Sequence, residues 1–523
     1  MKQHLTVGAA TGPLLEAYGV EYVFGIPGNH TLELHKGLEN TRIRHVTTRH
    51  EQGAAFMADG YARVSGLPGV CIVISGPGLL NAGTAITQAN QDSVPLLVIT
   101  TMSSAEPGTG ALHQMPDQAA VAGGLARASF TLAEPGDLAE MMANAFDCLR
   151  ARPGAVIVQI PTNVLTLPTE QAAALNPQIS SREFDVGEVA SLLDAATQPL
   201  MLLGGGARRA AGVTELAERL DCPVLNTVNG KGIVAYGHPL AVGGSPSLPC
   251  LAQALADADV VLALGTEFSE TDFDLLMRET PPIEAQVIQI NLDPVPAPGI
   301  QGDTSQVVTA LNADLKPSNR GGEQRAAALR EAIRGEPHYH ADFQAFFDAV
   351  QAAANDLVVV GDSTRPTYYA SWMYETRRPN RYFHSASGFG TLGYAIPAAF
   401  GACLATQLPV VAIIGDGGAQ FTLSELATAL DNHLGVPIII WLNDGYEEIA
   451  HSFAAREVNT SSTAVSSPDY ALIAKAYGCR CASPATPDEL TDVLRQALAD
   501  DRPSLVLIEQ NTFILSPSGQ WYA

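Results

Sequence analysis

Two oxygen-bearing residues stand at the ends of apolar runs: Asp416 closes the run 410–414 through Gly415, and Asn443 closes the run 436–442. Each run has strand length. Twenty-five residues separate the triplet Gly415, Asp416, Gly417 from Asn443, enough for the crossover helix that parallel neighbours require. Two parallel strands would then end at one edge, each delivering an oxygen ligand. A carboxylate and an amide oxygen are hard donors suited to Mg2+ or Ca2+. Mg2+ held by so few protein groups usually completes its octahedron with water and phosphate oxygens. Gly417 and Gly418 would let backbone N–H groups approach a diphosphate at the start of the following helix. The stretch reads as a metal-diphosphate cradle.

The elements that must position these residues form three successive α/β alternations. At 523 residues the chain exceeds a single core and suggests about three domains. In residues 1–168 the strand-like runs VEYVFGI, IRHVTT, GVCIVIS and PLLVITT alternate with helical patterns. A second alternation, PLMLLGG, PVLNTV, VVLALG and QVIQINLD, fills 185–318, and a third, from DLVVVGDST onward, fills 345–523. The expected fold class is α/β, with three doubly wound parallel-sheet domains, the first and third sharing a topology. Functional loops of such sheets lie at the carboxyl ends of strands. Asn29, Glu51, Ser75 and Gly76 all follow strands and share that edge. The third alternation is expected to carry a helix through SWMYET and a single helix after Asp416. Gly204, Gly205 and Gly206 after a strand hint weakly at a dinucleotide, without the full fingerprint.

Composition narrows the class. A formal charge of −25 argues against a nucleic-acid partner, which demands a basic patch. The acidity serves solubility first, and would also suit a cationic substrate. Seven cysteines, odd in number and without paired metal spacing, read as reduced core thiols of a cytoplasmic protein. The N-terminus shows no signal-type apolar stretch, and no run reaches the eighteen apolar residues of a membrane span.

The spacing of the cradle, with the successive segments GIPGNHTLEL, RHEQGAAFMADGYAR, SGPGLLNA, DSVPLLVIT and SGFGTLGYAIPAAFGA, resembles the thiamin diphosphate enzymes of the acetolactate synthase, benzoylformate decarboxylase and pyruvate decarboxylase superfamily. The resemblance implies a pyrimidine-binding domain, a central Rossmann-like domain and a diphosphate-binding domain. It further implies that Asp416, Asn443 and the Gly445 carbonyl bind the metal, and that Glu51 bonds N1′ of the aminopyrimidine. The Gly390 carbonyl would accept from the 4′-amino group and Leu392 would prop the bent cofactor. Thr364, Gly415, Gly417 and Gly418 complete the implied cofactor set. Leu442 stands where the family usually has a second Asn. The segment beginning Gly265, Thr266, Glu267 replaces the arginine-bearing stretch that contacts FAD in acetolactate synthases, which puts FAD in doubt.

For proton steps the resemblance offers Asn29, His30, His113 and Gln114. His113 stands at the first position of the pyruvate decarboxylase His-His pair, and Gln114 replaces the second. The substrate implied is a 2-oxo acid. ALHQMPDQ, TEFSETDFD, GDSTRPTYY and NDGYEEI resemble the subgroup of 5-guanidino-2-oxopentanoate decarboxylases, and Glu267, Glu270, Asp272 and Glu448 are carboxylates of the kind a guanidinium recognises bidentately. For each of these a solvated surface position remains an equal reading. Three functions stay open: decarboxylation to an aldehyde, carboligation of the acetolactate synthase type, and a catalytically silent binding protein of the same fold. The relatives share sites between subunits, so a homodimer or homotetramer is expected.

Overall fold

The structure, a computed structural model, describes residues 5–103, 113–170, 173–175, 183–273, 283 and 285–513. Of the segments singled out above, residues 111, 112 and 274 lie outside these. The first sheet contains six parallel strands, Tyr22–Gly25, Arg44–Thr47, Gly69–Val73, Leu96–Met102, Ala128–Thr131 and Ala155–Pro161. Counted along its own chain, their order across the sheet is 2-1-3-4-6-5. The last sheet, Val358–Gly361, Tyr382–His384, Val410–Gly415, Pro437–Leu442, Arg480–Ala482 and Ser504–Glu509, has the same order and is also parallel. Between them in sequence is a five-stranded parallel sheet of Leu200–Leu203, Val224–Asn226, Val260–Leu264, Gln286–Asn291 and Ile300–Gln301, ordered 2-1-3-4-5. The shared topology of the first and third sheets is thus borne out.

The strands are short and continuously apolar because helices cover both faces, the arrangement that lets a parallel sheet hide all its backbone groups. In each six-stranded sheet the order reverses between its first and third strands. That switch point opens a crevice at the carboxyl edge. In the first sheet it is framed by loops 28–31 and 75–78, and in the last by residues 362–364 and 416–418.

The first and last sheets meet through the helices Glu51–Ser65 and Ala395–Ala405, which run antiparallel. Gly60 faces the Ala398 backbone and Gly401 faces that of Met57, and an added Cβ at either would collide with it. One buried core including Phe56, Met57, Tyr394 and Phe400 spans the contact.

Two expectations for local structure change. The segment after Asp416 is a broken crossover, Asp416–Ala419 followed by the turn Leu423–Glu425 and Leu426–Asp431. The Thr422 hydroxyl donates to the Gly393 carbonyl at 2.8 Å, a side-chain bond that competes with helix continuation and holds the break. The helix Arg365–Met373 stops before Glu375. Glu375 instead turns to the central sheet, where Lys231 Nζ donates to it at 2.9 Å and both side chains are buried.

Candidate active site

Register sets the cradle. Gly415 pairs with Trp441 on the adjoining strand, so Asp416 and Asn443 emerge side by side. Asp416 Oδ2 accepts from the backbone N–H of Asn443 (3.2 Å) and of Asp444 (2.8 Å) and from the Ser467 hydroxyl (2.6 Å). Among the described residues its Oδ1 takes only the Gly417 N–H, at 2.8 Å, and its carbonyl accepts from the Tyr470 hydroxyl. Asn443 Nδ2 donates to Glu447 Oε2 at 2.9 Å, which turns the amide oxygen the other way. Glu447 Oε1 is held by Arg365 at 3.2 Å and by Gln510 at 3.0 Å. Asp444 and Gly445 lie at φ +59° and +145°, a bend that a glycine at 445 makes accessible.

The donor set is thus one carboxylate oxygen and amide-type oxygens, with no cluster of three His, Cys, Asp or Glu side chains among the described residues. Such a set fits a hard cation that brings phosphate oxygens with it. An added Cβ at Gly417 would come 2.7 Å from the Tyr446 ring, and one at Gly415 would come 3.1 Å from the Thr364 hydroxyl. The cradle therefore has no room for side chains at these positions, as close approach to a ligand requires.

Beside it lies a turn held by a carboxylate that the sequence reading missed. Asp362, fully buried, accepts from the N–H groups of Ser363 (3.0 Å), Gly393 (3.3 Å) and Ala395 (2.9 Å). Burial pushes its carboxyl up to about 6, against those three N–H groups. The signal was available: Asp362 ends an apolar strand just as Asp416 ends the next one. Leu392 is half-buried, while Gly390, at φ +80°, is exposed with open space over its Cα.

The first sheet gathers a second group. Glu51, buried, begins the helix Glu51–Ser65, and Asn81 Nδ2 donates to its Oε2 at 3.0 Å. Its other oxygen faces Gly78, where a Cβ would stand 3.4 Å away. The Ser75 hydroxyl donates to Gln114, and His30 Nδ1 lies 3.2 Å from the same Ser75 Oγ. The His113 ring meets His30 edge-on with centroids 6.0 Å apart. Asn29 opens the turn beside them and is exposed. Gln118, also unforeseen, fixes Gly76 by accepting its N–H at 2.8 Å.

The two groups do not meet within one chain. Tyr394 bonds Asp59 and lies under Arg63, at the opposite end of the helix from Glu51. Twelve residues of helix separate Glu51 from Arg63, about 18 Å at 1.5 Å each. A second ruler agrees: Glu51 sits at the start of the helix Pro77–Gln91, whereas Thr391 bonds Gln88 near its end.

The four acids divide as well. Glu267 is exposed and accepts from the Ser93 hydroxyl at 2.7 Å. Asp272 accepts from the Val228 N–H at 3.1 Å, and burial pushes its carboxyl up to about 6. Glu270 is exposed on the same segment, which reaches the last sheet through Ser269 and Thr271 hydroxyls on the Ser387 carbonyl. Glu448 stands apart from these, one residue beyond Glu447. Its Oε1 is buried without a hydrogen-bond partner among the described residues, and burial raises its carboxyl. Gly204 and Gly206 pack against Gly265, where an added Cβ would clash, which accounts for that glycine run by backbone packing.

Two six-stranded sheets of one topology, with an acid and an amide side by side at neighbouring strand ends of the second, define an enzyme of the thiamine pyrophosphate-binding class. Family models for thiamine pyrophosphate enzymes match three segments: the N-terminal TPP binding domain at residues 5–121, the central domain at 186–313 and the C-terminal TPP binding domain at 361–508. A protein of Pseudomonas aeruginosa named "Probable 2-ketoarginine decarboxylase AruI" is 39% identical over 96% of this chain and 93% of its own length. The acetolactate synthase of Mycobacterium bovis is 32% identical, covering 96% of this chain and 88% of its own. The large subunit of acetolactate synthase isozyme 1 of Escherichia coli is 31% identical, covering 82% and 80%. The chain belongs to the thiamine pyrophosphate enzyme family.

Proposed function

We propose that the protein is a Mg2+-dependent thiamin diphosphate decarboxylase that converts a 2-oxo acid with a cationic side chain, 5-guanidino-2-oxopentanoate, to its aldehyde and CO2. The observation that carries this reading is the Asp416–Asn443 pair in a chain 39% identical, over nearly its whole length, to a protein named for 2-ketoarginine decarboxylation. In it Asp416 Oδ1, the Asn443 amide oxygen and the Gly445 carbonyl hold the metal. Gly415 and Gly417 leave room for the diphosphate, which the Gly418 N–H and the Thr364 hydroxyl receive. When bound, the cofactor supplies an electron sink for the departing carboxylate's electrons. Glu51 would hold a proton at the aminopyrimidine nitrogen, the Gly390 carbonyl would accept from its amino group, and Leu392 would pack against the cofactor. His30 and His113 carry the protons, imidazole being suited to this near neutral pH, while Asn29 and Gln114 orient by hydrogen bonding.

Completion of this site takes a second copy of the chain, which would bring its Glu51 edge to the cradle of the first. Large apolar side chains are exposed at both edges, Leu32 and Leu80 at one and Phe389, Phe421 and Ile449 at the other, supporting a homodimer or a homotetramer in which they are covered. Among the described residues no helix is long and apolar enough to cross a membrane. The seven cysteines, all unpaired, support a place in the cytoplasm, although Cys481 is exposed and is no core thiol.

The acetolactate synthase relatives favour carboligation as the second reading. A panel of 2-oxo acids assayed for CO2, aldehyde and acetolactate decides between them. Acetolactate from pyruvate, with no turnover of the guanidino acid, would overturn the first reading.

A further inference from the structure

The turn 390–393 is held from outside its own sheet. Gln88, fully buried near the end of the helix Pro77–Gln91, accepts with one oxygen from both the Thr391 N–H (3.3 Å) and the Thr391 hydroxyl (3.0 Å). Its amide N–H donates to Asp92 Oδ2 at 2.7 Å. Arg63 grips the same carboxylate and donates to Asp59 Oδ1 at 2.7 Å. Asp59 in turn accepts from the Tyr394 hydroxyl. The circuit leaves the last sheet at Thr391 and returns to it at Tyr394. On the other side of Leu392, Asp362 takes the Gly393 and Ala395 N–H groups. Leu392 is thus flanked by two amides, each fixed by a buried side chain from a different sheet. Gly390 and Gly393, both at φ +80°, leave the turn to be fixed by its hydrogen bonds, because glycine leaves that conformation as readily as it enters.

We infer that Gln88 is a positioning residue for the cofactor: it fixes Thr391 so that Leu392 and the Gly390 carbonyl are in place before a ligand arrives. This rests on the thiamin diphosphate reading. Only one orientation of the Gln88 amide serves all its partners, with oxygen toward the two donors and nitrogen toward the carboxylate. A Glu at 88 would set two carboxylates against each other, whereas a Met would keep the volume and remove both functions.

The test uses the full chain as Gln88→Met and, separately, Thr391→Val, which removes only the hydroxyl bond. In the cofactor-free proteins, backbone hydrogen exchange over 388–393 is expected to speed at least tenfold in Gln88→Met. Titration with thiamin diphosphate and Mg2+, followed by calorimetry, is expected to give a Kd raised roughly tenfold in Gln88→Met and about threefold in Thr391→Val. A Gln88→Met protein that melts lower yet keeps wild-type exchange and Kd would show a merely structural residue and overturn the inference. Should Gln88→Met fail to fold, a wild-type Kd in Thr391→Val overturns it instead. A wild type that takes up no cofactor defeats the functional reading and this inference together, while a wild type that binds it beside an indifferent variant defeats this inference alone.

Discussion

Asp416 Oδ2 accepts the backbone N–H of Asn443 at 3.2 Å, so the acid that ends one strand is tied to the residue that ends its neighbour. Since Asp444 and Ser467 bond the same oxygen, the carboxylate closes the strand edge through Oδ2, while Oδ1, which accepts the Gly417 N–H, is the atom proposed to meet a cation.

These jobs separate by mutation. Asp416→Ala removes four hydrogen bonds and is expected to lower both the melting temperature and cofactor affinity. Asn443→Ala removes one, to Glu447, and should cost about 1 kcal/mol of stability at most while abolishing Mg2+-dependent uptake of thiamin diphosphate. Thermal melts alongside calorimetric titration check this. Unchanged uptake in Asn443→Ala would remove that residue from the metal site.

Glu51→Gln tests the other edge. Asn81 can still bond the amide oxygen, so folding and cofactor uptake should survive. The role assigned to Glu51 is in proton handling, and the exchange of the cofactor C2 proton should slow by at least ~100-fold, within the range general acid–base catalysis supplies. Exchange at the wild-type rate, followed by NMR after quenching, would mean that another group does this work.

The sheets and the cradle were legible because short apolar runs mark strands: Asp416 follows such a run through Gly415, and Glu51 opens the helix that follows the strand Arg44–Thr47. The crossover after Asp416 was misjudged as one helix because the Thr422 bond to Gly393 joins residues 29 positions apart, beyond any local pattern. Gln88 and Asp92 were invisible for the same reason: in and just after a helix of the first alternation they look like ordinary polar positions, while the partner of Gln88 is Thr391, 303 positions away, and that of Asp92 is Arg63, 29 positions away. The acid cluster was read by residue type alone. The fold ties Glu267 to Ser93 and Asp272 to Val228, leaving Glu448, among the described residues, with the unpartnered oxygen.

Asp362 makes a pH prediction. Its carboxyl rises from 3.8 to about 6, chiefly because burial penalises the charge. A raised carboxyl favours folding below its unfolded pKa, and that contribution is lost as pH rises through 6. A rise of about two pH units corresponds to at most ~3 kcal/mol. Asp362→Asn cannot ionise, so its melting temperature relative to wild type should climb between pH 4 and pH 7.5, from an offset set by its poorer acceptance of three N–H groups. A difference that stays constant over this range would refute the assignment.

Assembly follows from the ~18 Å of helix between Glu51 and Arg63. Sedimentation of the protein at assay concentration should show a dimer or a tetramer, with activity lost on dilution to monomer. A fully active monomer would mean that one chain completes the site alone, against the two helical rulers.

Of the four acids, Glu448 has the buried oxygen without a partner among the described residues, and it lies on the helix Glu447–Ala454 that begins just past Asn443 and Gly445. A guanidinium brought to that oxygen would form a charge-assisted hydrogen bond, typically worth ~1.5–3 kcal/mol. At 1.4 kcal/mol per decade that is roughly ten- to hundredfold in kcat/KM for 5-guanidino-2-oxopentanoate over 2-oxohexanoate. Glu448→Gln should remove most of this preference, because the amide keeps the shape but not the charge. Glu267→Gln should change it least, its carboxylate being exposed and already engaged with Ser93. Burial raises the Glu448 carboxyl, and a protonated acid cannot pair with the cation, so the preference should fade as pH drops toward the carboxylate range. Rates for both substrates and pyruvate across pH 5–8, in wild type and in each acid-to-amide variant, provide the check. A cationic preference untouched by all four variants would place the guanidinium elsewhere while leaving the cofactor site as described.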